Sequence, residues 1–287
     1  MKCFHHNDND GRCAASIVSI IENNTNPNDF IELNYPEKFP LDLFEKDEKV
    51  YIVDISFSKN TKTQLESIMK KTKNLIWIDH HASSIDLIKE NTEFGMIQGI
   101  RFDGTCGALL TYIYTHNKID SFLDDKEIEV PDYLLYVDDH DCWKGNFPNS
   151  KYFFLATQSL DTSPLSSLWK DLYNGNIDIA KLENDGKVIW EYLQNTYKEI
   201  RKGGYEVNIE GAKAFVLNAL GNSWVFGDII KKYEFVVLWN YEDGKYCYSF
   251  YSDKETSNFD CCALAEKFGG GGHRNASGCS SKKLLFV

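Results

Sequence analysis

Aspartate and histidine residues gather in four short clusters in the first half of the chain, each of which follows, or is expected to follow, an apolar run. The clusters are His6-Asn7-Asp8-Asn9-Asp10-Gly11, Val53-Asp54-Ile55-Ser56, Ile78-Asp79-His80-His81 and Val137-Asp138-Asp139-His140-Asp141. Carboxylates and imidazoles together suit Mn²⁺, Mg²⁺ or a similar divalent ion, whereas a set of thiolates would indicate zinc or an iron–sulfur cluster. The clusters therefore predict the ligands of a metal site.

The spacing within the first cluster predicts more than one ion. If this segment is extended, its alternate residues point the same way, so His6, Asp8 and Asp10 could reach two neighbouring ions. Asp54 lies at a separate predicted strand end and is well placed to bridge them. Two ions about 3.5–4 Å apart clamp the attacking and leaving oxygens of a phosphoryl transfer and lower the pKa of a bridging water. The predicted chemistry is therefore phosphoryl transfer to water.

A second chemical signal lies near the C-terminus, where four glycines precede a histidine and an arginine. Such glycines expose backbone N–H groups, as in an anion-binding nest, and a helix is expected to begin just after them. The residues expected to contact a phosphate or carboxylate group of the substrate are Gly270, Gly271, Gly272, His273 and Arg274. The alternative is a flexible glycine loop between a helix and a strand.

Each acidic cluster alone also has an ordinary structural explanation. An aspartate at a strand end commonly caps a helix. The pair His80–His81 could be structural, and Asp138, Asp139 and Asp141 could belong to an acidic loop. The functional interpretation depends on the co-occurrence of strongly ligating residue types at the ends of several apolar runs, which together make a site hypothesis.

The elements that must position these residues alternate between strand and helix. Apolar runs that end at His6, Asp54 and Asp79 predict strands, while residues 12–22 and 59–71 repeat their apolar positions at helical spacing. This order is typical of a parallel α/β sheet, whose strands deliver ligands to its carboxyl edge. We therefore predict an N-terminal domain with a parallel sheet and helices on both faces.

Three further segments complete the predicted first domain. Residues 105–114 predict a helix that starts with small residues, which permit close backbone approach to a neighbour or a ligand. Residues 132–137 are expected to lead into the fourth cluster as a helix or a strand. Residues 145–181 contain Pro148 and Pro164 and are expected to be rich in loops.

The pattern of the chain changes after this region. We predict a metal-binding catalytic domain over residues 1–183, a linker helix over 184–204 and a smaller α/β substrate-binding domain over 205–287. The strands and final helix expected in the smaller domain are 214–217, 235–239, 245–251 and 260–268.

The composition restricts the class of partner. The 287-residue chain has 43 acidic against 31 basic residues and a formal net charge of −12. Tight, nonspecific binding of long nucleic acid needs a basic surface, so long single strands are not expected as substrates. A small phosphorylated ligand remains compatible with an acidic chain, because bound cations can reverse the local charge.

The eight cysteines and the N-terminus indicate a cytoplasmic protein. The cysteines lack CxxC and zinc-type spacing, so we expect reduced thiols. The first metal-binding motif begins at once after Met1 and leaves no room for a signal peptide. Since no apolar stretch approaches the roughly 20 residues that span a bilayer, no membrane association is expected.

The combination of motifs resembles the DHH phosphoesterase family. Asp79-His80-His81 is similar to the triplet that names the family, residues His6 to Gly11 to its first motif and Asp54 to its second. Residues Gly269 to Gly278 resemble the GGGGH motif of the DHH-associated C-terminal domain found in one large subfamily. The resemblance extends over nearly the whole chain.

The resemblance implies a role for each matching residue. It implies that His6, Asp8 and Asp54 hold one metal ion, while Asp10, Asp54, His80 and a fourth-motif aspartate hold the other. His81 would face the substrate phosphate. Asp79 would support the site from behind the residues that contact the metal ions and the substrate. Of the fourth-motif aspartates we favour Asp139, with Asp138 and Asp141 left open. The implied activator is Mn²⁺, with Mg²⁺ and Co²⁺ as alternatives.

One departure from the family pattern affects the substrate. Relatives often carry a Ser-x-Arg-Ser strand ahead of the glycine motif, whereas this chain has Tyr251 in the place of that arginine. A tyrosine can stack on a base or donate one hydrogen bond, but it cannot clamp a phosphate through two bonds. Arg101 or Arg274 are candidates to compensate.

The predicted function is a two-metal phosphodiesterase of small nucleotides, such as short oligonucleotides or cyclic dinucleotides. One alternative is a phosphomonoesterase or phosphoanhydride hydrolase acting on 3′-phosphoadenosine 5′-phosphate, pyrophosphate or polyphosphate. Another is a nucleotide-binding module without activity, although no expected ligand position is missing. A homodimer is an open alternative for the assembly.

Overall fold

A computed structural model describes residues 1–34 and 38–286 of the chain. The chain divides into two compact units, Met1–Ile189 and Trp190–Val287, and the division falls inside one long helix. Within the described residues, no helix combines the length and the apolar character that crossing a membrane requires.

Among its described residues, the first unit contains four strands and eight α-helices, followed by the start of the long helix. The strands are β1 (Lys2–His6), β2 (Phe30–Leu33), β3 (Val50–Val53) and β4 (Leu75–Ile78). The helices are α1 (Asn9–Glu22), α2 (Lys62–Lys71), α3 (Ala82–Glu90), α4 (Gly107–Thr115), α5 (Ile119–Leu123), α6 (Asp132–Asp141), α7 (Ser150–Gln158), α8 (Ser167–Tyr173) and the long α9 (Ile179–Arg201).

The four strands form one parallel sheet in the order β2-β1-β3-β4. Every residue of β3 and β4 is buried, as expected for parallel strands covered on both faces. Alternate residues of each strand enter different cores: Tyr51 and Val53 pack with α1, α4 and α6, while Val50 and Ile52 pack with α2 and α3. The predicted α/β class with helices on both faces is confirmed.

The second unit is a smaller mixed sheet with one helix of its own. Its elements are β5 (Tyr205–Ile209), β6 (Ala212–Asn218), β7 (Phe235–Glu242), β8 (Lys245–Tyr251), α10 (Cys261–Lys267), β9 (Gly271–His273) and β10 (Ala276–Ser281). The strand order is β5-β6-β7-β8-β10-β9, with only the β6–β7 pair parallel among the pairs described. Helix α10 packs on one face, and Leu193 and Tyr197 of α9 belong to the core on the other.

Two sequence predictions about local structure were wrong. The segment expected to be rich in loops contains α7 and α8, because Phe153, Ala156 and Trp169 are buried against the rest of the first unit. The glycines near the C-terminus are followed by strand β10 and not by a helix. The fourth acidic cluster was left open between helix and strand, and it lies in α6.

Candidate metal centre

Three of the four predicted clusters meet at the carboxyl edge of the parallel sheet. His6 is the last residue of β1, Asp54 follows β3 directly, and Asp79 follows β4. These three strands are neighbours in the sheet, and open α/β sheets place their sites at this edge. The sheet thus brings together side chains that are more than 70 positions apart in the sequence.

Asp54 lies at the centre of this group. Its side chain is 1% exposed, and its backbone takes a left-handed φ of 57° that turns the chain out of β3. Its Oδ1 lies 3.2 Å from His80 Nε2 and its Oδ2 lies 3.7 Å from His6 Nδ1. Within the described part of the chain, neither oxygen has a hydrogen-bond partner. Since a buried carboxylate without partners is costly, this arrangement fits a bound cation.

The first candidate set of ligands is His6, Asp8 and Asp54, which can present one donor atom each to the same point. His6 Nδ1 lies 2.7 Å from Asp8 Oδ2, and Asp8 Oδ1 accepts a hydrogen bond of 2.9 Å from Gly11 N as the N-cap of α1. A Cβ at Gly11 would lie 2.5 Å from the His6 carbonyl oxygen, so glycine allows the helix to start directly over β1.

A second set of carboxylates surrounds one nitrogen of His80. His80 Nε2 lies 3.2 Å from Asp54 Oδ1, 3.5 Å from Asp141 Oδ2 and 3.9 Å from Asp10 Oδ2. Three carboxylates around one imidazole nitrogen carry more negative charge than that imidazole can balance. Imidazole and carboxylate donors are the types that hold Mn²⁺, Mg²⁺ and similar ions, so the donor set fits the predicted second ion.

The start of α4 holds Asp10 in place. Asp10 Oδ2 accepts a hydrogen bond of 2.6 Å from Gly107 N, and Oδ1 accepts one of 2.7 Å from Ala108 N. These amides have no partner inside the helix and lie at the positive end of its dipole, so they stabilise a carboxylate. The small residues at this position predicted a close approach to the backbone, but the side chain that makes the approach could not be predicted.

The fourth cluster contributes Asp141 to this group and not Asp139, which the sequence analysis favoured. Asp139 Oδ1 accepts hydrogen bonds from the backbone amides of Asn146 and Phe147, at 2.5 and 3.2 Å, on another side of α6. Asp138 is also engaged elsewhere, by Cys106 N at 2.8 Å and Lys144 Nζ at 2.5 Å. The geometry therefore does not support Asp139 as the ligand.

Asp79 is placed to orient His81. Asp79 is fully buried, and its Oδ1 lies 2.8 Å from His81 Nδ1. Burial would lower the pKa of His81, but the charge and hydrogen bond of Asp79 outweigh it and raise that pKa. Burial likewise opposes the effect of His81 on Asp79, whose pKa is lowered overall. His81 Nδ1 is 4.0 Å from Asp54 Oδ1, so the pair lies beside the carboxylate group.

Burial is the main cause of the raised pKa values among the clustered carboxyl groups. Burial, followed by the charges of neighbouring carboxylates, raises the pKa of Asp54 and of Asp141 well above the ordinary range. Burial also raises the pKa of Asp10. Asp8 is the exception: the hydrogen bond and charge of His6 overcome its burial and lower its pKa to about 2. Bound cations would relieve this repulsion.

A cavity of about 180 Å³ opens beside three of these carboxylates. Asp8, Asp10 and Asp141 line one part of it, and its other lining residues include Tyr136, His140, Trp143, Phe153 and Phe154. The His140 ring stacks on Phe154 with 3.7 Å between ring centroids, and burial lowers its pKa to about 4. His140 therefore forms part of an aromatic wall and not of the ligand set.

The predicted substrate-binding glycines belong to the second unit, where much of their backbone is already engaged. The amides of Gly269 and Gly270 donate to the carbonyls of Glu266 and Ala265, and so end α10 in a Schellman motif. Gly271 and Gly272 pair with β10. A Cβ at Gly270 would lie 2.0 Å from the Gly278 carbonyl oxygen. Gly270 is therefore required where the chain passes close to Gly278. The amides of Gly269 and Gly270 end α10 and do not form the predicted anion nest.

The arginines considered as substitutes at the Tyr251 position have structural partners. Arg101 donates to the carbonyl oxygens of Trp77, Ile97 and Gln98, at 2.9 to 3.2 Å, so its guanidinium links β4 to the segment that follows α3. Arg274 donates to the Asn258 carbonyl oxygen at 3.1 Å. Tyr251 lies in β8, where burial raises the pKa of its hydroxyl. Phosphate binding by His273 and Arg274 stays a prediction.

Comparisons with known proteins agree with this fold. No protein-family model matches the chain. The chain is 27% identical over 260 residues to an uncharacterized protein, R106, of Acanthamoeba polyphaga mimivirus. That alignment covers 84% of this chain and 56% of the viral protein, so the chain spans little more than half of that relative's length.

Several solved structures have a similar fold over nearly the whole chain. A pGpG-specific phosphodiesterase, PggH, from Vibrio cholerae aligns with a TM-score of 0.55 and 12% identity, covering 98% of this chain and 93% of that one. An exopolyphosphatase-related protein from Bacteroides fragilis aligns at 0.53 and 13%, covering 99% and 87%. RecJ from Thermus thermophilus, in complex with Mn²⁺, aligns at 0.52 and 14%, covering 99% and 50%. The chain therefore shares the α/β fold of these structures.

Proposed function

We propose that this chain is a phosphodiesterase of the DHH superfamily that uses two divalent metal ions, preferably Mn²⁺, to hydrolyse small nucleotides. The observation that carries the proposal is the buried Asp54 carboxylate, which has no hydrogen-bond partner among the described residues and lies between His6 and His80. A buried carboxyl group with a strongly shifted pKa at the meeting point of several ligating side chains is typical of a catalytic site.

In this proposal each clustered residue has a defined task. His6, Asp8 and Asp54 hold one ion, and Asp10, Asp54, His80 and Asp141 hold the other, so Asp54 contributes to both. Asp141 replaces Asp139 in the proposed set because, of these two aspartates, it is Asp141 whose carboxylate lies beside His80. Bound there, the ions supply Lewis acidity at the phosphoryl group and a water of lowered pKa.

The chain's own residues then position the reacting groups. Asp79 fixes the orientation of His81, whose imidazole lies at the start of α3 and would contact a phosphoryl oxygen of the substrate. The amides at the start of α4 hold the Asp10 side chain in place by two hydrogen bonds. We also assign the second unit to the DHH-associated class and propose that His273 and Arg274 bind the substrate.

The choice of small nucleotides has two supports. The net charge of −12 disfavours long nucleic acids, whose binding depends on basic surfaces. The fold is also similar to that of a protein described as a pGpG-specific phosphodiesterase, over 93% of its length.

Product analysis tests the proposal. The Mn²⁺-loaded protein is incubated with a 5′-phosphorylated dinucleotide, a cyclic dinucleotide, a long oligonucleotide, 3′-phosphoadenosine 5′-phosphate and pyrophosphate, and the products are separated by ion exchange. Cleavage of a dinucleotide to mononucleotides, lost in Asp54→Ala and kept in the exposed control Asp185→Ala, is the expected result. Release of inorganic phosphate alone would favour the monoesterase or phosphoanhydride alternative. Nucleotide binding without turnover in Mn²⁺, Mg²⁺ and Co²⁺ would contradict an enzymatic role.

A further inference from the structure

Trp143 occupies a backbone position that normally belongs to glycine. It follows the C-cap of α6 with a left-handed φ of 54°. Its amide donates to His140 O at 3.4 Å and the next amide, Lys144 N, donates to Asp139 O at 3.0 Å. This is the Schellman arrangement, in which the left-handed residue is usually glycine because a side chain there is strained.

Burial does not explain the tryptophan, because the residue is 60% exposed. Its side chain lines the cavity beside Asp8, Asp10 and Asp141, together with His140 and other aromatic residues. A bulky, exposed aromatic residue in a strained conformation at the edge of a site is a candidate for ligand contact.

The cavity is lined by two chemically different groups of residues. The carboxylates belong to the proposed metal sets, whereas the rest of the lining consists largely of aromatic rings, including the stacked pair His140–Phe154.

We infer that this aromatic pocket, formed by Tyr136, His140, Trp143, Phe153 and Phe154, binds the base of the nucleotide whose phosphate lies at the metal centre. The inference rests on the proposed function and adds the part of the substrate that the first unit recognises. A flat ring can stack on Trp143, which is exposed at the pocket, while the phosphate of the same nucleotide reaches the carboxylates that also line it. Asn9 also lines the pocket, and its Nδ2 donates a hydrogen bond of 2.9 Å to Thr157 Oγ1.

The test compares two ligands that differ only in the base. Binding of adenosine 5′-monophosphate and of ribose 5-phosphate to the Mn²⁺-loaded protein is measured by calorimetry, for the wild type and for Trp143→Gly and Trp143→Phe. Stacking on one aromatic residue typically changes affinity by about tenfold or more. We expect the nucleotide to bind at least about tenfold more tightly than the sugar phosphate, Trp143→Gly to remove most of that advantage, and Trp143→Phe to keep most of it.

The glycine variant separates ligand contact from folding. Because glycine suits the left-handed position, Trp143→Gly should unfold at the same temperature as the wild type or higher. Equal affinity of the wild type for both ligands, or an equal loss for both in Trp143→Gly, would overturn the inference. If the protein prefers adenosine 5′-monophosphate in a Trp143-dependent manner but cleaves no diester, the base-binding pocket is supported and the proposed activity is rejected. If the protein cleaves the dinucleotide but binds both ligands equally, the activity is supported and the base-binding pocket is rejected.

Discussion

Asp10 and Gly107 are in such close contact that no side chain fits between them. The Gly107 amide donates a hydrogen bond of 2.6 Å to Asp10 Oδ2, and a Cβ on Gly107 would lie 2.9 Å from that oxygen and 2.8 Å from the Cβ of Asp54. One glycine at the start of α4 therefore sets the positions of two carboxylates of the candidate metal centre.

Substituting Gly107 should disturb the centre more than the fold. We expect Gly107→Ala to weaken Mn²⁺ binding about 10- to 100-fold, the range seen when groups that orient metal ligands are changed. Overpacking should lower the free energy of unfolding by about 1–3 kcal/mol. Calorimetric Mn²⁺ titration measures the first effect and urea unfolding the second. Gly203→Ala is the matched control, since a Cβ there meets only the Ile200 carbonyl oxygen at 3.5 Å.

Asp54 should make the metal-free protein less stable than a variant in which this carboxyl group is replaced. Because its buried carboxylate lacks hydrogen-bond partners among the described residues, Asp54→Asn should raise the free energy of unfolding in EDTA, by about 1–2 kcal/mol. The same variant should lose the increase in melting temperature that Mn²⁺ causes in the wild type. Thermal unfolding of both proteins with EDTA and with Mn²⁺ gives all four values. A variant that is destabilised in EDTA and still stabilised by Mn²⁺ would contradict the assignment.

Asp139 and Asp141 should respond differently to the same change. Asp141→Ala is expected to weaken Mn²⁺ binding at least about tenfold with little loss of stability, since a ligand is removed. Asp139→Ala should keep Mn²⁺ binding but lower the free energy of unfolding by about 1–3 kcal/mol, because the amides of Asn146 and Phe147 lose their acceptor. Parallel Mn²⁺ titrations and unfolding curves decide the matter, and the reverse pattern would restore Asp139 as the ligand.

Asp79 should act through His81. In Asp79→Asn the His81 imidazole still has a polar side chain beside it, but that side chain no longer carries a negative charge. The orientation and charge state of His81 therefore change, while the metal sets stay intact. We expect kcat on the substrate identified by product analysis to fall at least about tenfold, with Mn²⁺ affinity changed less than threefold. If His81→Ala and Asp79→Asn had additive effects on kcat, the two residues would not be acting as a unit.

The sequence was informative where strands carry the residues and less so where helices do. His6, Asp54 and Asp79 each end or follow an apolar strand, and because parallel strands share one carboxyl edge, their proximity could be predicted. Asp139 and Asp141 lie on a helix, where a short acidic run faces several directions and only tertiary packing determines which member faces His80. The pattern could not separate them.

The contacts of the backbone could not be predicted from residue patterns either. The glycines before His273 predicted exposed amides, yet the amides of Gly269 and Gly270 close the end of α10. Similarly, the small residues at the start of α4 indicated a close approach, but their partner Asp10 is 97 positions away from Gly107. Glycines and other small residues in a sequence indicate that the backbone can be approached closely, but they do not indicate which group approaches it.

The span of chain that supplies the candidate ligands has a consequence for biosynthesis. The metal sets draw on residues from His6 to Asp141, whereas the second unit begins only at Trp190. A ribosome would thus have to release roughly the first half of the polypeptide before the ion assigned to Asp10, Asp54, His80 and Asp141 could meet its full set of donors. Metal that binds only the folded form favours that form. If the proposed ions bind, cellular manganese supply would influence how much newly made chain reaches its native state.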